Sequence, residues 1–124
     1  MLKIRKEQMT AFADLMRRRF EDRMAARLRD LFPQKCTEMG AAAVRESIRD
    51  AVQRAARYGV TIEYDVARFI ELTYLLSPDF DAALPWAAAI LSDPDAGSHP
   101  KTNDLCRRAR EESQAPVGYW PPDE

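Results

Sequence analysis

Proline and glycine cut this chain into helix-sized pieces, and that punctuation constrains the fold more than any other feature. Phe32-Pro33, Gly40, Gly59, Ser77-Pro78, Pro85 and Asp93-Pro94 recur along the chain. The residue before a proline is pushed out of helical geometry, and proline itself suits the first turn of the next helix. A glycine just past a helix takes the left-handed conformation that closes it. Between these marks the apolar residues recur every three or four positions, and no useful length alternates with the period of two that a strand requires.

The spacing predicts a long helix from about Lys6 to Leu31, with Met9, Phe12, Met16, Phe20, Met24, Leu28 and Leu31 on one stripe. A Met-rich stripe can serve as an adaptable partner groove, but core is the preferred reading. Arg17–Glu21 and Arg18–Asp22 stand at i,i+4 on the other face, each worth a few tenths of a kcal/mol. Pro33 opens a short helix through Met39, closed by Gly40. A second long helix runs from about Ala41 to Tyr58, with Val44, Ile48, Ala51, Val52 and Ala55 inward and Gly59 as its stop. Thr61 is the expected N-cap of a third, from about Ile62 to Leu76, with Glu63 and Asp65 in the first turn, where the helix dipole favours negative charge. Val66, Phe69, Ile70, Thr73 and Leu76 form its buried face. Shorter helices follow from Pro85 to about Ser92, bearing Trp86, Ile90 and Leu91, and from about Pro100 to Ser113. The expected fold is an all-α, compact bundle of about five helices, three long and two short. Residues 1–113 form a single helical domain, and the Pro-rich residues 114–124, QAPVGYWPPDE, an irregular tail that is expected to be flexible.

A chain of 124 residues can bury a core without metal or disulfide staples. Cys36 and Cys106 lie far apart with no CxxC spacing, so they match no zinc or redox motif. Free buried thiols are expected, with a disulfide between them as the lesser alternative. MLKIRKEQM is charged and lacks the apolar region of a secretory signal, and no apolar run is long enough to span a bilayer. A cytoplasmic location is expected, with export by a signal-free route left open. Net charge is −1, unevenly divided: residues 1–58 carry +6 and residues 59–124 carry −7. Mutual neutralisation is the preferred reading, and a basic face for an acidic partner the alternative.

In SPDFD, Asp79 and Asp81 flank Phe80, and the single histidine, His99, lies further on in GSHPK. Two carboxylates and an imidazole can ligate a metal, but a turn explains them better. There the aspartates bond local backbone amides and Phe80 drops into the core. His99 in a Gly/Ser/Pro loop is expected to be exposed. No nucleophile elbow, catalytic-cysteine signature or Gly-rich phosphate loop occurs. The expectation is therefore no enzyme, no catalytic residues, no metal and no cofactor. Acidic residues within RRRFEDRMAARLR and a pI near 5.9 argue against nucleic acid.

Four stretches, IRKEQM with Phe12, RFEDRM with LFPQKC, IRDAVQRAARYGVTIEYDVARFIEL and SPDFDAALPWAAAIL, cover about residues 4–110. Together they resemble a group of small uncharacterised all-helical proteins encoded in type VI secretion gene clusters, near spike proteins, PAAR-like tip proteins and toxic effectors. Its signature residues here are Phe20, Arg23, Pro33, Cys36, Tyr58, Gly59, Asp65, Phe69, Asp79, Phe80, Asp81, Pro85 and Trp86. Most read as structural, as do Pro33, Gly59, Thr61, Asp79, Phe80, Asp81, Pro85 and Trp86 in the helix scheme above. The resemblance implies a protein-binding adaptor or chaperone for a secreted effector, spike or tip component. The alternative is a cytoplasmic immunity protein that occludes a cognate toxin. The expected partner is a protein, with no nucleic acid and no membrane. The residues expected to meet it are Arg17, Arg18, Arg23 and Arg27, with Tyr119 and Trp120 of the tail.

Overall fold

The computed structural model describes the backbone of residues 2–113 and the side chains of residues 6–112. The tail, with Tyr119 and Trp120, lies outside the described residues. Within them the chain is all-helical: α1 (Leu2–Leu31), α2 (Pro33–Met39), α3 (Ala41–Arg57), α4 (Glu63–Leu75), α5 (Phe80–Ala83), α6 (Pro85–Leu91) and α7 (Ser98–Ser113). These are seven helices against an expected total of about five, and six of the seven match segments read as helical from the sequence. The seventh is α5, a single turn inside the segment read as a plain corner.

The breaks sit where the punctuation put them. Pro33 and Pro85 occupy the first turns of α2 and α6, and Gly40 and Gly59 have positive φ of 87° and 80°. At Gly59 the closure is a Schellman motif: Val60 N–H donates to the Ala55 carbonyl and Gly59 N–H to that of Ala56, both at 3.0 Å. Val60 is fully buried behind it. Thr61 is not the N-cap of α4. That position falls to Ile62, with no side-chain capping bond, and Glu63 and Asp65 supply negative charge in the first turn.

Two compact units divide the chain, Met1–Arg49 and Asp50–Glu124, with the boundary inside α3. In the first, the buried residues of α1 are Glu21, Met24, Ala25 and Leu28, joined by Cys36 of α2 and by Val44 and Ile48 of α3. The stripe from Met9 to Leu31 is not one core face. None of residues 6–19 is buried, and Met9 and Phe12 are 64% and 63% exposed. A step of four residues overshoots a full turn by about 40° at 3.6 residues per turn. Met16, Phe20, Met24 and Leu28 therefore wind about a third of the way around the helix.

In the second unit α4 is the central element. Nine of its residues are buried, from Asp65 to Tyr74 with only Ala67 partly open. Phe69 lies 5.0 Å from the Phe80 ring and 6.4 Å from that of Tyr58. Tilted aromatic pairs at such separations add to the area they bury. Leu105, Cys106 and Ala109 of α7 and Ala87 and Leu91 of α6 complete this core. Cys36 and Cys106 are both free and buried. Burial pushes the Cys36 thiol above its ordinary pKa, against the opposing pull of Arg29 and Lys35, which leaves it a poor nucleophile.

Candidate functional site

Three arrangements bring chemistry-bearing residues together. The first is a cluster between α4 and α7. Asp65 is fully buried, and its Oδ1 accepts from the Thr102 hydroxyl at 3.0 Å and stands 2.9 Å from His99 Nδ1. Its Oδ2 accepts from the Ser98 hydroxyl at 2.7 Å. The Arg68 guanidinium reaches Asp65 Oδ1 at 3.3 Å, Thr102 Oγ1 at 2.7 Å and Asn103 Oδ1 at 2.7 Å, and stacks 4.8 Å over the Tyr64 ring. Burial pushes the Asp65 carboxyl up, but the bonds from His99, Ser98, Thr102 and Arg68 together hold it below the ordinary carboxylate value.

His99 is thus not a loop histidine. It sits in the first turn of α7, half-exposed, with its ring braced on a buried carboxylate. A histidine held this way on a carboxylate is two-thirds of a hydrolytic triad. The Ser98 hydroxyl, however, is spent on the same Asp65 carboxylate. The arrangement ties the start of α7 to α4. Its signal in the sequence was a matched polar spacing: Tyr64, Asp65 and Arg68 on one helix, Ser98, His99, Thr102 and Asn103 on the other. Each set repeats at i, i+1 and i+4 or so, which puts it on one face of its helix.

The second cluster corrects the reading of the aspartate pair. Asp81 is buried and caps nothing local. Its carboxylate accepts from the Tyr58 hydroxyl at 2.8 Å and pairs with Arg54. Arg54 also bonds Asp50 at 3.3 Å and the Pro78 carbonyl, and Lys101 Nζ donates to the Tyr58 carbonyl at 2.8 Å. Asp79 is exposed. It holds the N-cap position of α5 with no side-chain capping bond, and its carboxylate accepts from Ser77 at 3.1 Å. Phe80 is fully buried, as an anchor should be. Among the described residues no group of three or more His, Cys, Asp or Glu is placed to hold a metal ion.

The third arrangement is the outer surface of α1 in the first unit. Glu21 is buried and takes a two-pronged bond from Arg49, at 3.1 and 3.2 Å, with Arg45 at 3.5 Å. Arg45 also pairs with Asp22, and Arg17 with Asp14. The acids expected to offset Arg17 and Arg18 one turn on are therefore engaged by α3 instead. Arg17, Arg18, Arg19, Arg23 and Arg27 are all exposed. Ahead of them run the exposed Met9, Phe12 and Leu15. In the second unit, Trp86 is half-buried, with Arg108 stacked 5.3 Å over its ring.

No helix among the described residues is long and apolar enough to cross a membrane. Set beside known proteins, the chain matches no family model, no curated protein and no solved structure.

Proposed function

We propose that this protein is a non-enzymatic, protein-binding accessory, an adaptor or chaperone for a type VI secretion effector or spike component. The observation that carries the binding part is the first half of α1, where Met9, Phe12 and Leu15 are exposed beside a run of exposed arginines. Apolar side chains next to arginine are the usual makings of an interface, because arginine pairs with carboxylates through a planar fork and stacks on aromatic rings. The secretion context rests on the resemblance over about residues 4–110.

The test is affinity purification of the tagged chain from its native host, with and without reversal of Arg18 and Arg27 to Glu. Both side chains are exposed, and circular dichroism of the double variant checks that it folds as the parent does. Like-charge juxtaposition at an interface costs several kcal/mol, and the variant should lose an effector, spike or tip component that the parent recovers. Recovery of a single toxin whose activity the protein blocks would replace the adaptor reading with that of an immunity protein. Undiminished recovery by the variant would reduce this face to solvated surface.

A further inference from the structure

We infer that the face of α1 between Met9 and Arg19 docks an acidic amphipathic helix of another protein. That helix lays its apolar side chains on Met9, Phe12 and Leu15 and its carboxylates on Arg18 and Arg19. The inference rests on the protein-binding reading above and specifies its partner.

At about 100° per residue, Met9, Phe12 and Leu15 fall along one side of α1. Arg19 follows Phe12 by two turns and Leu15 by one, and Arg18 borders the same strip. The strip lies away from Glu21, Met24, Ala25 and Leu28, the residues α1 buries. It is a second face, not a continuation of the core.

Charge comes next. Asp14 is engaged by Arg17 and Asp22 by Arg45. Arg18 and Arg19 have no ion-pair or hydrogen-bonding partner among the described residues. Two cations at one end of an open apolar strip call for carboxylates at the matching end of whatever covers it. The strip is also open along its length: none of residues 6–19 is buried.

A second copy of the chain is a poor occupant. Side by side in parallel, two copies set Arg18 and Arg19 against themselves. In antiparallel pairing these cations meet the Lys6–Glu7 end, where one carboxylate faces two arginines and a lysine stands beside it. An anionic lipid surface would meet the same cations, and the vesicle measurement below distinguishes it from a helix.

The experiment titrates the full chain against a labelled synthetic helix of about 20 residues, long enough to lie along the strip at 1.5 Å per residue. Its apolar positions are Leu and its flanks Glu; a twin carries Lys in place of Glu. The Glu peptide should bind and the Lys twin should not. Phe12→Ser with Leu15→Ser should weaken the Glu peptide by at least about tenfold, the scale on which central interface residues act. Arg18→Glu with Arg19→Glu should reverse the preference between the twins. Thermal unfolding of each variant keeps a folding defect from passing as lost binding, since these side chains are on the surface. Equal binding of the twins, no binding of the Glu peptide, or binding indifferent to both double variants would overturn the inference. So would tight binding to phosphatidylserine vesicles that Phe12→Ser abolishes, or a dimer in sedimentation equilibrium lost in the same variant. If the Glu peptide binds as stated but no secretion component is recovered from the host, the docking face stands and the secretion context fails. If such components are recovered regardless of Phe12→Ser with Leu15→Ser, the functional reading stands and this face is not its site.

Discussion

The first half of α1 and the whole of α4 are both amphipathic by pattern, yet one is nearly all surface and the other nearly all core. Between residues 6 and 19 no side chain of α1 is buried, whereas α4 buries even Asp65, Arg68, Glu71 and Thr73. The contrast teaches that a polar residue is buried when a neighbouring helix brings it partners, and an apolar one is left out when no helix of its unit packs there. For Asp65 and Arg68 the partners come from α7, where Ser98, His99 and Thr102 complete the Asp65 carboxylate, whereas Thr73 donates to the Ile70 carbonyl of its own helix. A buried carboxylate so bonded rigidifies its surroundings; one left unbonded costs several kcal/mol.

The largest test of this contrast is a matched pair of truncations. Phe69→Ala should lower unfolding stability by about 3–5 kcal/mol, the cost of emptying a buried aromatic site. Phe12→Ala should change it by less than about 0.5 kcal/mol, as for ordinary surface sites. Urea unfolding followed by circular dichroism reads both. A cost for Phe12→Ala comparable to that of Phe69→Ala would mean that α1 is covered in solution, and the contrast would collapse.

Asp65→Asn comes next. It removes a buried carboxylate from the Arg68 guanidinium, itself 3% exposed, and should cost about 3 kcal/mol near neutral pH, toward the lower end for breaking a buried pair. The dependence on pH has a definite sign. The folded Asp65 carboxyl is held below its ordinary value of 3.8, so its stabilisation is complete above the unfolded value and lost as pH falls through the folded one. The difference between parent and Asp65→Asn should therefore shrink below about pH 4. A difference that instead grows on acidification would contradict the bonding described for this carboxylate.

A smaller effect sharpens the comparison within one turn of chain. Asp81→Ala should cost about 2 kcal/mol, since Tyr58 and Arg54 lose a charged, buried acceptor. Asp79→Ala should cost less than about 0.5 kcal/mol, because its carboxylate is exposed and meets only Ser77. Equal losses in thermal unfolding would return both residues to the status of turn formers.

Much of the helical scheme follows from the amino-acid sequence alone. The stops at Pro33, Gly40 and Gly59 and the start at Pro85 stand where the residues put them, because each is decided within a turn of backbone. The aspartates were less legible. Asp65 reads as a first-turn acid and Asp81 as a turn former from their neighbours alone, and only the first of those local statements survives. The miss at α5 is of the same kind, since a single turn leaves no period to detect.

The sequence by itself determined that this chain is helical and where most helices end, because those choices depend on steric and hydrogen-bonding rules acting over about one turn. Only the tertiary structure decided which faces are buried and which charges meet. Asp81 finds Tyr58 across 23 positions and Asp65 finds Thr102 across 37, separations that no local pattern encodes. The same holds for the stripe on α1. Its spacing could promise an amphipathic helix, but burial requires a second surface, and in the first unit that surface covers Met24 and Leu28 and leaves Met9 and Phe12 in water.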